Sequence, residues 1–174
     1  MAATLSVFVL AGVLSALLFI GRTGLNASSY SEMEAEARRG LELFAEDTRM
    51  ASDIRWISAQ CLTLIRSVDG VTTETTYAYD SDPASSTFRS FYRVDGPDPS
   101  APGRQVLMRE ITSDFSFKRY KLEQSPDFDA PANSDLETKQ IQLTLRAVRG
   151  MQGSVASNAV VSARYVLRNK RVSR

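Results

Sequence analysis

The chain has 174 residues, 21 of them basic and 20 acidic, for a net charge of +1. That balance argues against nucleic-acid binding, which needs a basic surplus on one face. The chain has no histidine, so it lacks the commonest general base and the commonest metal ligand. It has one cysteine, so it can form neither an intrachain disulfide nor a zinc site made of several cysteines. We therefore expect no catalytic residue, no cofactor and no small-molecule substrate, and we expect Cys61 to be a small buried apolar side chain.

The first segment, MAATLSVFVLAGVLSALLFIG, contains no charged side chain. A cleaved secretory signal needs basic residues before the apolar run and a small-residue cleavage site after it, and both are missing here. A core helix that is apolar on every side must be surrounded completely, and the remaining domain is small for that. A membrane helix needs about 20 apolar residues, and this is the interpretation that we predict. Small residues in it would let another helix approach closely: Ala11, Gly12, Ser15 and Ala16.

A second helical segment follows in NASSYSEMEAEARRGLELFAEDTRMASDIRW. Its apolar residues recur at steps of three and four, which predicts an amphipathic helix. Ser29 and Glu32 fit a capping box, so a kink or break fits best within residues 21–28. We predict one long helix from about Ala3 to about Asp53. The stripe residues that we expect to pack on a sheet are Met33, Ala37, Leu41, Phe44 and Thr48.

From about Ile57 the hydrophobic period changes to two. The segments VTTETTYAY, TFRSFYRV, KQIQLTLRAV and VVSARYVLR alternate apolar and polar residues, and RQVLMREI and DFSFKRYKL are further strand candidates. In the last of these, the aromatic residues change parity between Phe117 and Tyr120, which predicts a bulge or bend. Alternation of this kind is typical of antiparallel sheets that place one face on a core.

These elements predict an α+β fold in which a long N-terminal helix packs on antiparallel β-sheets. The helix would have a membrane half, residues 1–24, that forms the core of an assembly, and an amphipathic half, residues 25–56. Residues 57–174 would form a β-rich globular domain.

Two acidic loops, DSDPASS and SPDFDAPANSD, are the weak candidates for a calcium site. Calcium takes six to eight oxygen ligands, and carboxylates at alternate positions could supply several of them. The candidates are Asp80, Asp82, Asp127, Asp129 and, at the end of the second loop, Asp135. Neither loop has the glycine and final glutamate of an EF-hand, so we predict soluble acidic turns and no metal.

The whole arrangement resembles the type IV pilin-like family, and within it the minor pseudopilins of type II secretion, of the J type. The matching pieces are AATLSVFVLAGVLSALLFIGR, ELFAEDTRMASDIRW, VLMREITSDFSFKRY and SARYVLRNKR. The resemblance implies a pilin-like fold and a non-enzymatic structural subunit of a filament. Its partners would be other pilin-like subunits, bundled through the N-terminal helix, and the bacterial inner membrane. It would be a single-pass protein with its C-terminal domain in the periplasm.

The chain departs from this family at its start. Members carry a leader that ends in Gly and is cut after that Gly, and the segment Phe-Thr-Leu-x-Glu follows the cut. This sequence contains no segment that corresponds to that motif. No cleavage-site residue or filament-register glutamate can therefore be assigned. Because Ala2-Ala3-Thr4 resembles the middle of the family's hydrophobic helix, we expect the native start to lie upstream.

An alternative function is a single-pass membrane-anchored periplasmic adaptor that does not polymerise. Helix continuity separates it from the filament subunit. An adaptor usually has a flexible linker between its anchor and its domain, and only residues 21–28 offer one here.

Overall fold

The computed structural model describes residues 2–122, 129–149 and 157–171. A single helix in these residues, α1, runs from Ala2 to Met50 without interruption across residues 21–28. Eight strands follow it: β1 Asp53–Ser58, β2 Cys61–Val68, β3 Val71–Tyr79, β4 Phe91–Asp95, β5 Gln105–Met108, β6 Ser116–Tyr120, β7 Gln140–Arg149 and β8 Ser157–Val166. Helix α1 ends at Met50, earlier than predicted, because β1 already begins at Asp53.

The strands form two antiparallel sheets, as their alternation predicts. The first sheet has the order β1-β2-β3-β4-β5 and the second the order β6-β7-β8. Strands β2 and β3 are joined by a two-residue turn in which Asp69 and Gly70 both have positive φ, 51° and 81°, the geometry that favours an Asp-Gly pair. The two sheets meet where the Phe117 N–H donates to the Ala59 carbonyl at 2.6 Å.

The second half of α1 lies on the inner faces of both sheets. Phe44 is fully buried at the centre, with its ring centroid 4.9 Å from that of Tyr77, 5.7 Å from Phe117 and 5.2 Å from Tyr165. The inward side chains of β7 are buried as its alternation predicts: Ile141, Leu143, Leu145 and Ala147. A helix stripe and two sheet faces therefore share one core.

A smaller cluster lies on the opposite face of the first sheet, although the alternation predicts that each sheet has only one face on a core. Its buried members are Cys61, Ala78, Tyr92 and Val94. Ala101 packs against them, because the loop between β4 and β5 folds over this face. Burial raises the pKa of the Cys61 thiol to about 11. Strand β4 begins at Phe91, and Phe88, predicted to be in the strand, lies outside it and is exposed.

The bulge predicted near Tyr120 is absent. Strand β6 pairs with β7 in unbroken register from Ser116 to Tyr120. Tyr120 lies on the outer face instead, where the guanidinium of Arg164 sits 4.0 Å from its ring centroid. The change of parity therefore marks an aromatic side chain covered by an arginine rather than a distortion of the strand.

The membrane half of the predicted fold and the predicted single-pass localisation are corrected by the structure. Among the described residues, no helix is both long and apolar enough to cross a membrane. The prediction relied on the lack of charge between Met1 and Gly21. The folded body is dominated by the eight strands of the two antiparallel sheets rather than by helix.

Candidate assembly surface

The first half of α1 presents large apolar side chains to solvent. Six large aliphatic residues are each between 54% and 66% exposed: Leu10, Val13, Leu14, Leu17, Leu18 and Ile20. A Cβ atom added at Gly12 or Gly21 would meet nothing within 4 Å. This part of α1 is therefore a strongly apolar surface that the sheets of its own chain do not cover.

The small residues predicted for helix assembly occupy one side of this segment. Ala11, Gly12, Ser15 and Ala16 are all exposed. At about 100° per residue, these four positions fall within an arc of about 140°, and the six large aliphatic residues fall within an arc of about 160° opposite them. Phe19, which is 71% exposed, also falls within the arc of the small residues, about one turn beyond Ser15. The small-residue face is therefore confined to residues 11–16, whereas the large-aliphatic face runs along residues 10–20.

Sequence reasoning identified the small-residue face and missed the large-aliphatic face. The signal was present in the sequence, since successive 100° rotations place Leu10, Leu14 and Leu17 together. The apolar run was treated as uniform because no position in it is charged, and its two faces differ in side-chain volume rather than in polarity.

The residues predicted to pack on the sheets lie in the second half of α1. Met33, Ala37, Phe44 and Thr48 are buried, and Leu41 is half-buried. Next to this stripe, α1 passes so close to β5 that a Cβ atom added at Gly40 would lie 3.1 Å from the Cβ of Leu107.

A polar contact also ties α1 to the first sheet. The Tyr77 hydroxyl donates to a carboxylate oxygen of Asp47 at 2.7 Å, and Nε of Arg93 donates to the same oxygen at 3.1 Å. Burial, followed by the Asp47 hydrogen bond and charge, raises the pKa of Tyr77 far above its ordinary value. Because the phenol stays protonated, its donation to Asp47 persists across the physiological range.

The carboxylate of Asp80, one of the calcium candidates, accepts hydrogen bonds from donors of the protein itself. Its Oδ2 accepts from Ser85 Oγ at 2.5 Å, from Thr87 Oγ1 at 2.6 Å and from Nη1 of Arg104 at 2.9 Å. Burial alone would raise the pKa of this carboxyl. The hydrogen bonds from Ser85 and Thr87, the Asp82 amide and the Arg104 charge outweigh it and hold the pKa below its usual value.

The other calcium candidates do not converge with Asp80. Asp82 accepts from the Ala84 amide, Asp129 pairs with Arg164 at 2.6 Å and Asp135 pairs with Arg119 at 2.7 Å. Asp127 lies outside the described residues. Among the residues that the structure describes, no group of three or more acidic or cysteine side chains could hold a metal ion.

No protein-family model, no curated protein and no solved structure matches this chain. The resemblance to the pilin-like family therefore stays a prediction from the sequence. Independent support for a function comes from the geometry of α1, whose second half packs on the sheets and whose first half stays exposed.

Proposed function

We propose that the protein is a non-enzymatic structural subunit of a type IV pilin-like filament, most similar to a minor pseudopilin of type II secretion. One observation carries this proposal. A single helix is anchored in the folded body through its second half and presents an apolar surface through residues 10–20. Large exposed apolar surfaces mark sites of association.

The two faces of residues 10–20 favour a repeating assembly over a closed pair. Large side chains from one helix pack well against a surface of small residues, because the small residues let the two axes come close. The contact then joins two different surfaces, one from each subunit. Such a heterologous contact leaves one unused surface at either end and can continue as a helical array.

The continuity of α1 supports the filament subunit over the non-polymerising adaptor. The helix is unbroken across residues 21–28, the only stretch that offered a flexible linker. An uninterrupted helix fixes the direction in which residues 10–20 leave the body, whereas a flexible tether would leave that direction free.

Photocrosslinking in the producing cells tests the proposal. A photoreactive amino acid placed at Leu17 of the full chain should form adducts with pilin-like subunits, including second copies of this chain. The same probe at Ile57, an exposed residue of β1 outside the helix, provides the control. If the Leu17 probe gives no more adducts than the Ile57 probe, the proposal is wrong.

A pair of variants makes the test specific to the two faces. Gly12→Leu fills the small-residue face and should reduce the yield of Leu17 adducts, whereas Leu14→Ile keeps the volume of the large-aliphatic face and should preserve it. Adducts with a single unrelated protein, unaffected by Gly12→Leu, would favour the adaptor instead.

A further inference from the structure

Strand β8 is the end strand of the second sheet. It pairs with β7 along its whole length, from Ser157 to Val166. No other strand of the described residues pairs with its second side. An unpaired edge presents a row of backbone donors and acceptors that another strand can use.

The other end strands are shorter or partly covered. In β1, the Trp56 amide donates to the Asp135 carboxylate at 3.1 Å, and β6 is continued on its outer side by the bridge between Tyr120 and Pro131. Strand β5 has only four residues. Strand β8 has ten residues and contains no proline or lysine, the residues that commonly protect an edge.

An apolar groove lies beside this edge. It has a volume of about 360 Å³ and is lined by α1 and β8 alone. Its apolar lining consists of Ala37, Leu41, Ala45, Val161 and Tyr165. Because β8 is the last strand of its sheet, the groove is placed to receive the inward side chains of a strand added to that edge.

The outward side chains of β8 indicate which strand would be added. Val160 is 70% exposed and Val166 is 43% exposed. They lie at equal distances from Ala163, one on each side. In an antiparallel pair of identical strands centred on Ala163, each Val160 stands opposite the partner's Val166, and on the inner face each Val161 stands opposite the partner's Tyr165.

We infer that β8 pairs antiparallel with β8 of a second copy, centred on Ala163, and joins the two second sheets into one six-stranded sheet. The pairing covers the exposed valines of both copies with each other and gives the second side of each β8 a strand partner. It is an isologous contact, in which the same surface is used twice. This inference does not rest on the proposed filament function.

The dimer would separate the two projecting helices. Helix α1 runs beside β8 in the same direction, since Phe44 contacts Tyr165 and the Asn169 side chain donates to the Met50 carbonyl. Antiparallel pairing of β8 therefore sets the two helices antiparallel as well, and their first halves leave the dimer at opposite ends. Two subunits joined through β8 cannot also pack residues 10–20 side by side.

Register-specific disulfides test this pairing in the full chain. In a Cys61→Ala background, Val160→Cys and Val166→Cys chains with different tags are produced together in one cell and oxidised mildly. Opposite residues of antiparallel strands lie close enough for a disulfide, whereas the two copies of position 160 would be about 20 Å apart. We expect about tenfold more disulfide-linked dimer from the mixed chains than from either chain alone.

The outcomes of this experiment separate the proposal from its rivals. A disulfide-linked dimer from Val160→Cys alone would mean another register, and no dimer in the mixture would mean that this edge stays unpaired; either result overturns the inference. In the mixed chains, Leu17→Arg should leave the disulfide yield unchanged, because β8 pairing does not use α1 residues 10–20. A loss of yield in that variant would also overturn the inference, since the contact would then depend on helix association.

Discussion

The two halves of α1 are both rich in apolar residues, and they meet different surroundings. In the second half, the apolar residues form a stripe, and Met33 and Phe44 lie against two sheet faces of the same chain. In the first half, apolar residues occupy all sides, and Leu10 and Leu17 remain exposed. Periodicity, rather than the amount of apolar surface, thus separates the part of a helix that folds on its own chain from the part that can serve another subunit.

The largest expected effect is that of Phe44→Ala. This change removes a fully buried ring that contacts the rings of Tyr77, Phe117 and Tyr165. It leaves a cavity shared by α1 and both sheets. We expect a loss of about 3–5 kcal/mol in the free energy of unfolding, measured by urea titration with the fluorescence of the single tryptophan, Trp56.

Leu17→Ala is the matched change in the first half. It removes an exposed side chain, so the urea midpoint of the unassembled protein should stay close to that of the wild type. A comparable shift for both variants would contradict the division of α1 into a packed half and an exposed half.

The next prediction concerns the loss of stability in acid, which should arise from residues of the folded body. Residues 10–21 contain no titratable side chain, whereas the body holds the buried Asp80. Because the pKa of Asp80 is lowered in the folded state, its contribution is complete above the unfolded value near pH 4 and is lost as pH falls through the folded value. Asp80→Asn should cost roughly 1–3 kcal/mol at neutral pH by weakening the bonds from Ser85, Thr87 and Arg104.

Urea titrations between pH 6 and pH 3 measure this difference. The loss of stability toward acid should be smaller in Asp80→Asn than in the wild type. Asp69→Asn provides the control, since asparagine tolerates the positive φ at this exposed turn. If the free energy of unfolding fell as much between pH 6 and pH 3 in Asp80→Asn as in the wild type, other carboxylates would be responsible for the acid sensitivity.

Two glycines allow the halves of α1 to be compared by the same substitution. Gly40→Leu would place a side chain where the Cβ of Leu107 already lies 3.1 Å from the added Cβ position, so α1 and β5 must move apart. We expect a cost of about 1–3 kcal/mol in unfolding free energy. Gly12→Leu meets open space and should leave the unfolding midpoint of the unassembled protein unchanged or slightly raised. If Gly12→Leu lowered the unfolding midpoint and Gly40→Leu did not, the first half of α1 rather than the second would be the half packed on the body.

The parts of the fold that the sequence predicts best are those with a strict period. The alternation of Ile141, Leu143 and Leu145 predicts a half-buried strand, and the three side chains are buried. The sequence does not predict the side-chain contacts between segments that are distant along the chain. Nothing in the segment around Tyr120 shows that Arg164 will cover its ring, and nothing around Tyr92 shows that a loop will fold over it.

The candidate assembly surface was predictable in part for a similar reason. Small residues such as Gly12 and Ala16 stand out by type, but the opposite face of Leu10, Leu14 and Leu17 emerges only when the positions are placed around a helix. The membrane prediction is the part that the structure contradicts, since no helix among its described residues is both long and apolar enough to cross a membrane.

The smallest expected effect lies on the outward side of the packed half. Arg38 and Glu42 are one turn apart, with nitrogen and oxygen 3.8 Å from each other and with side chains 82% and 73% exposed. An exposed pair of this kind gains little, because water screens both charges and two long side chains lose freedom. Glu42→Gln should therefore change the unfolding free energy by less than about 0.5 kcal/mol. The inward carboxylate of the same helix provides the comparison, since Asp47→Asn weakens the acceptor for Tyr77 and Arg93 and should cost more in the same urea titration. If Glu42→Gln proved the more damaging of the two, α1 would be held on the body by its outer charges rather than by its buried stripe.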